Sequence, residues 1–311
     1  MPFGIGGNSR IRTNISALNA YNSLEVSNRD ISNRQLRLST GKRINNAADD
    51  VAGYITSRAL KARNGALSAS LKAVGDAQNT SYIIMDSLEN IANLVEDIKN
   101  STASATSGVQ GTAEKVALAK AASRMVSQIQ TIVDSTVFGG RQLIDGGFSA
   151  EFVIATNAVN NLITLALDMT TSNEDFNVSK GDFNLNSTSV TDFAGITSLD
   201  MNKFDEVTAE NLGIFDSSVI GLTLVSLASA IENINKVASY VGGVVNRLIS
   251  QEEALKGQMT NYKAAISRIE DSDIALEQLE LVKSQFLQNA SLTSLAQANS
   301  NPQSFLQLLQ S

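Results

Sequence analysis

Apolar side chains recur in alternating four- and three-residue steps along the carboxyl-terminal part of the chain, over residues 227–276. A helix of these 50 residues is about 75 Å long at about 1.5 Å per residue, and one compact core cannot cover its apolar stripe. A partner helix must therefore lie beside it. Glu252 and Asp273 interrupt the pattern, which consists of Leu227, Ile231, Ile234, Ala238, Val241, Val245, Leu248, Leu255, Met259, Tyr262, Ile266, Ile269 and Leu276.

The amino-terminal half offers partner helices with the same period. Four residues at seven-residue spacing indicate a first helix, from about residue 17 to Gly41, and two further runs indicate helices over about 50–101 and 113–136. The long helix begins near residue 219, and a last amphipathic segment ends at Asn299. The residues that carry these patterns are Ala17, Leu24, Ile31 and Leu38, then Ile84, Leu88, Ile91, Val95 and Ile98, then Leu118, Ala122, Met125, Ile129 and Ile132.

Between the third and fourth helices the period changes. Ile163, Leu165, Leu167 and Met169 alternate with other residues, which predicts the strands of a β-hairpin between residues 148 and 169. Residues 170–218 are rich in Asn, Asp, Ser and Thr, with isolated phenylalanines at positions 176, 183, 193 and 204. Because this composition is typical of turns, we expect a short, partly irregular insertion that faces solvent.

Together these patterns predict a mainly α protein. Its amino- and carboxyl-terminal segments form a long antiparallel helical bundle or coiled coil, accompanied by a small β-hairpin region and a short irregular insertion. We predict three parts: an inner terminal coiled-coil domain of residues 1–50 with 271–311, a helical core domain of residues 51–171 with 219–270 that carries the hairpin, and a variable surface insertion of residues 172–218.

Composition narrows the classes of function. The 311 residues include no His, Cys or Trp, so the commonest general acid or base and the thiolate nucleophile are both missing. A formal charge of −7 without a Lys and Arg cluster argues against nucleic-acid binding, and no apolar stretch reaches the about 20 residues that span a bilayer. We expect no enzyme, no cofactor, no nucleic acid and no membrane insertion.

Two groups of neighbouring carboxylates are candidate sites. Asp49 and Asp50 form one, and Glu270, Asp271 and Asp273 form the other. Neither has the spacing or the glycine of a calcium loop. For the second group three interpretations are open: a solvated or helix-capping role, ion pairs with Lys or Arg of another subunit, or a metal site. Asp273 stands where the stripe calls for an apolar residue, and a polar residue at such a position can fix helix register.

Several of these segments are recognisable as sequences. Residues 10–18 and 38–53 closely resemble the amino-terminal signature of bacterial flagellins. Residues 268–273 and 297–303 resemble the carboxyl-terminal signature, and residues 138–146 are similar to the turn that follows the third helix in that family. The matches lie at both ends of the chain and in the order expected for the family.

The resemblance implies a structural subunit that self-assembles into the extracellular flagellar filament. The resemblance also implies export through the secretion channel of the flagellum without a cleaved signal peptide. Implied partners are other copies, a filament cap, hook-junction proteins and a cytoplasmic chaperone on the carboxyl-terminal helix. The alternative is a hook-filament junction adaptor. Residues expected in subunit packing are Ile15, Leu18, Leu24, Ile31, Leu38, Arg43, Asn45, Asp49, Asp50, Arg268, Asp271, Asp273, Phe286, Leu292, Leu295, Phe305 and Leu308.

Overall fold

The computed structural model describes residues 13–108, 110–156, 162–170, 173, 183–188, 191–197 and 199–310. Long helices dominate it, which confirms the prediction of a mainly α protein. The helices of this described part are α1 Ile15–Thr40, α2 Val51–Ser104, α3 Thr112–Ser135, α4 Ile220–Glu270 and α5 Ile274–Gln310. Its strands are β1 Val137–Phe138, β2 Arg141–Gln142, β3 Ser149–Thr156 and β4 Leu162–Asp168, and 3-10 turns span Met201–Phe204 and Gly213–Phe215.

Local signals place the ends of the first two helices. The Asn14 side chain accepts a hydrogen bond from the backbone N–H of Ala17 and caps α1. At the other end of α1, Gly41 adopts the left-handed conformation with φ of 69°, and its N–H donates to the carbonyl of Arg37. The Asp50 carboxylate accepts from the N–H of Gly53 and caps the start of α2. The predicted helix end at Gly41 is therefore confirmed.

The expectation of one continuous helix through Leu276 is wrong. α4 ends at Glu270, and α5 begins at Ile274. Asp273 lies in this break, where its carboxylate accepts hydrogen bonds from the N–H groups of Ala275 (2.9 Å) and Leu276 (3.2 Å). Asp273 therefore caps the start of α5, whereas the sequence pattern placed it as an interruption within one continuous apolar stripe. The expected end of the last segment at Asn299 is also wrong, because α5 continues to residue 310.

The chain divides into two compact units. The terminal unit comprises residues 1–64 and 260–311, and the central unit comprises residues 65–259. Within the terminal unit α1 and α5 run antiparallel, as hydrogen bonds far apart in sequence show. Asn14 Nδ2 donates to the carbonyl of Ala298 (2.7 Å), and Gln288 Nε2 donates to Asn28 Oδ1 (2.6 Å). The three-part division predicted from the sequence stays a prediction.

The central unit has a helical core. Its parts of α2 and α4 run antiparallel, and Gln78 Nε2 donates to Glu252 Oε2 (2.9 Å) between them. The apolar run predicted on α2 is fully buried, whereas on α3 the buried face includes Ala119, Val126 and Val133 beside two of the five predicted residues. The buried residues of the α2 run are Ile84, Leu88, Ile91, Val95 and Ile98, and those of α4 include Leu227, Ile234, Val241, Val245, Leu248 and Leu255.

The predicted hairpin is present, since β3 pairs antiparallel with β4. The insertion after it is irregular, as expected, but the expectation that it faces solvent is wrong for its described phenylalanines. Phe193, Phe204 and Phe215 are each 0% exposed, and the rings of the last two meet edge to face at 5.9 Å. Polar turn residues set the path of the backbone, while the phenylalanines supply a core. Phe176 lies outside the described residues.

Candidate assembly surface

The contact between α1 and α5 uses one side of each helix. Leu24, Ile31 and Leu38 of α1 are half-buried, as is Leu295 of α5. The buried residues of these two helices include small polar ones: Ser27 and Ser284 are each only 6% exposed. Leu281 is also buried, at 8% exposed. The seven-residue spacing on α1 therefore predicted the side of the helix that faces α5.

A buried carboxylate joins the end of α1 to the start of α5. Glu277 accepts hydrogen bonds from Arg34 Nη1 (2.7 Å), Arg37 Nη1 (3.4 Å) and Ser272 Oγ (3.2 Å). Burial raises the pKa of Glu277, but hydrogen bonds from Arg34 and Ser272 and the charges of Arg34 and Arg37 outweigh it and hold this pKa below its ordinary value of 4.5. The carboxylate is therefore ionised and paired at neutral pH.

A second carboxylate ties the end of α4 to the amino-terminal segment. Glu270 pairs with Lys42 at 3.0 Å and with Lys61. Burial raises the pKa of Glu270, but hydrogen bonds and charge from the two lysines lower it by more, so the net shift of this pKa is downward. Backbone bonds complete the junction, because Arg43 N donates to Glu270 O (2.7 Å) and Ser272 N donates to Gly41 O (2.9 Å).

The loop between α1 and α2 is held by its own polar side chains. The carboxylate of Asp49 accepts from the backbone N–H groups of Asn46 (2.9 Å) and Asn45 (3.0 Å), and these bonds lower the pKa of Asp49. Asn45 Nδ2 donates to the carbonyl of Lys42. Packing is close at Gly53, where an added Cβ would lie 2.5 Å from the Asp50 carboxylate. These contacts explain the residue types at positions 45, 49, 50 and 53.

The outer sides of α1 and α5 present large apolar side chains that no described residue covers. Phe286 is 70% exposed and Leu279 is 62% exposed. Residues 13–24 and 284–301 contain no charged side chain. A groove of about 530 Å³ runs between the helices, lined in part by Val26, Leu287 and Ala290. We call the exposed set the assembly surface: Ile15, Leu18, Tyr21, Val26, Leu36, Ile274, Leu276, Leu279, Val282, Phe286, Leu287 and Leu292.

The candidate residues from the sequence fall into distinct groups. Ile15, Leu18, Phe286 and Leu292 are exposed on the assembly surface, and Leu24, Ile31, Leu38 and Leu295 lie at the α1 and α5 contact. Arg43 donates from its guanidinium to the carbonyl of Ile269, and Asp271 forms a backbone bridge with Lys42, so these two candidates lie at the contact between the end of α4 and the amino-terminal segment. Asn45, Asp49 and Asp50 hold the loop and the helix start that follow, Asp273 caps α5, and Arg268 is exposed on the last turn of α4. The side chains of Phe305 and Leu308 lie outside the described residues. The roles of all these candidate residues in subunit packing stay a prediction.

Sequence reasoning missed Glu277 and its partners Arg34 and Arg37. One signal was available, since two arginines three residues apart lie on the same side of a helix and match a carboxylate on its neighbour. In the described part of the chain, no three His, Cys, Asp or Glu side chains form a group that could hold a metal ion. None of the described helices is long and apolar enough to cross a bilayer.

Comparisons with known proteins agree with this architecture. Residues 11–149 match the bacterial flagellin N-terminal helical region, and residues 224–309 match the bacterial flagellin C-terminal helical region. The chain is 29% identical over 312 residues to the flagellin of Bacillus subtilis (strain 168), an alignment that covers 96% of this chain and 99% of the relative. It is 24% identical to the flagellar filament 30.7 kDa core protein of Treponema maltophilum, with the same coverage.

Among solved structures, Bacillus cereus flagellin matches with 18% sequence identity and a TM-score of 0.42, over 63% of this chain and 94% of that one. The two matched family regions lie at opposite ends of the sequence and contain the residues that build the α1 and α5 pair. The chain therefore belongs to the bacterial flagellin family and is a structural subunit of the flagellar filament.

Proposed function

We propose that filament assembly covers the assembly surface of each copy with the terminal units of its neighbours. One observation carries the proposal: twelve large apolar side chains of α1 and α5 are exposed on a surface with long charge-free stretches. Covering the exposed part of each contributes about 1 kcal/mol, or on the order of 10 kcal/mol for the set. That sum is comparable with the about 4–15 kcal/mol that association costs.

The experiment compares two double substitutions at matched exposure. Leu279→Ser with Phe286→Ser removes the most exposed part of the α5 surface, and Leu222→Ser with Val225→Ser removes two exposed side chains of α4, at 68% and 63%. Polymerisation is followed by sedimentation and negative-stain microscopy after salting out. We expect loss of filaments for the α5 variant alone, with an unchanged helical circular dichroism spectrum. Equal loss in both variants would contradict a role specific to the terminal unit.

The same surface supports proposals about the other partners. A subunit of the flagellar filament belongs to an extracellular structure. We propose that a cytoplasmic chaperone covers α5 before export through the secretion channel of the flagellum, because the exposed apolar side chains of α5, in part on its charge-free stretch 284–301, promote aggregation. We also propose that the filament cap and hook-junction proteins contact the terminal helices at the two ends of the polymer. Protection of α5 amides from hydrogen exchange in the chaperone complex tests the first of these proposals.

The family is one of structural proteins, which is consistent with a chain that is not an enzyme. No observation favours the hook-filament junction adaptor.

A further inference from the structure

The two units carry opposite charge. The terminal unit has 13 Lys and Arg against nine Asp and Glu, a formal charge of +4, whereas the central unit has 11 against 22, a formal charge of −11. The net charge of −7 therefore conceals a strong asymmetry. In a polymer of identical copies, a basic surface on one subunit and an acidic surface on the next attract each other.

The first surface lies at the start of α2, in the terminal unit. Val51, Ile55, Arg58 and Ala62 follow one another at four-, three- and four-residue steps, so they share one face of the helix. All four are exposed, with Val51 at 60% and Ile55 at 63%. The Arg58 guanidinium lies 5.1 Å from the centre of the Tyr54 ring, which orients it beside this face. We call these four residues, with the neighbouring Arg63, the basic stripe.

The second surface lies further along α2, in the central unit. Tyr82, Asp86, Glu89 and Asn93 are spaced by the same four-, three- and four-residue steps, and Glu96 and Asp97 continue the face. All are exposed, with Tyr82 at 46%. We call this set the acidic row. No ion pair within the described residues involves its four carboxylates or the two arginines of the basic stripe.

We propose that the basic stripe of one copy binds the acidic row of a second copy in the filament. The inference rests on the proposed function as a self-assembling subunit. Equal spacing lets the two helical faces lie side by side, with Val51 and Ile55 against the Tyr82 ring and the arginines among the carboxylates. Each copy carries both surfaces, so the contact is heterologous, and it extends into an open helical polymer when the rotation between neighbouring copies does not close a ring.

Other occupants of the basic stripe fit less well. Residues 1–12 contain Arg10 and Arg12 and no carboxylate side chain, so charge repels this segment from Arg58 and Arg63. Residues 302–311 contain no charged side chain and offer nothing to pair with the arginines. The acidic row supplies four carboxylates within 12 residues, at a position where their mutual repulsion otherwise destabilises the helix.

The test is a charge swap in the full-length chain. Arg58→Glu with Arg63→Glu reverses the stripe, and Asp86→Lys with Glu89→Lys reverses the row. The matched control for the reversed stripe is Arg124→Glu with Lys203→Glu. It changes the net charge by the same amount as the stripe reversal, at two exposed side chains elsewhere. The measurement is the monomer concentration in equilibrium with filaments at fixed salt, together with a circular dichroism spectrum of each monomer.

We expect the reversed stripe to raise this concentration at least about tenfold, because two attractive contacts become repulsive. The control should stay within about twofold of the unchanged chain, and the chain with both stripe and row reversed should recover most of the loss. Equal effects of stripe and control reversal, or no recovery when the row is also reversed, would overturn the inference. Failure of the unchanged chain to polymerise would instead count against the proposed function.

Discussion

Replacing Glu277 by Gln tests the buried ion pairs that join α1 to α5. The Glu277 side chain is only 7% exposed, while Arg34 and Arg37 keep 28% and 25% of their exposure. Gln preserves the shape and one acceptor oxygen but leaves two guanidinium groups beside a neutral amide. Breaking a fully buried pair costs about 3–5 kcal/mol, and the remaining exposure of the arginines reduces the expected cost to about 1–3 kcal/mol.

The effect should depend on pH in a defined direction. The pKa of Glu277 is below its ordinary value of 4.5 in the folded chain, so its contribution is complete above that value and disappears as pH falls through the folded-state pKa. The unchanged chain should therefore lose stability in the terminal unit below about pH 4.5, by the same linkage. The difference between the Gln variant and the unchanged chain should shrink over the same interval.

Hydrogen exchange of α1 and α5 amides measures opening of this unit without assuming two-state unfolding of the whole chain. Rates are compared between pH 7 and pH 3 after correction for intrinsic exchange. Glu280→Gln is the control on the same helix, because Glu280 pairs at 3.4 Å with an exposed lysine and is itself 29% exposed. We expect less than about 0.5 kcal/mol from it. A Glu277→Gln variant with unchanged protection at pH 7 would refute the assigned role of the pair.

Four further substitutions test the packing. Gly53→Ala places a methyl group 2.5 Å and 2.6 Å from packed side-chain atoms, so it should destabilise the terminal unit by about 1–3 kcal/mol. Gly65→Ala has nothing within 4 Å of the added methyl group and should stabilise α2 by about 0.5–1 kcal/mol. Urea unfolding measures both changes. Ala194→Gly relieves a left-handed φ of 52° and should raise the melting temperature, and a lower one would contradict the strain. Phe204→Ala empties a fully buried site and should cost the central unit about 3–5 kcal/mol, while a solvent-facing insertion would tolerate it.

The sequence determined the helical content and most helix ends, because these follow from local chemistry. The only two prolines are at positions 2 and 302, so residues 3–301 contain no proline to interrupt a helix, and the repeat of apolar residues identifies which side of each helix is buried. Gly41 ends α1 because a residue without a Cβ adopts the left-handed conformation readily. The alternation of apolar residues around Leu165 and Leu167 specified the hairpin, because this alternation is also a local pattern.

Only the tertiary structure decided the break between α4 and α5 and the partners of its carboxylates. Three residues outside a helix do not disturb an apolar repeat. From the sequence, Asp273 is therefore interpreted as an interruption of that repeat, whereas in the structure it caps α5. Glu277 and Arg34 are 243 positions apart, and their meeting depends on how two helices pair in space. Burial of Phe204 likewise depends on the docking of an irregular segment. Local periodicity contains no information on such long-range pairings, because they arise from the packing of whole elements.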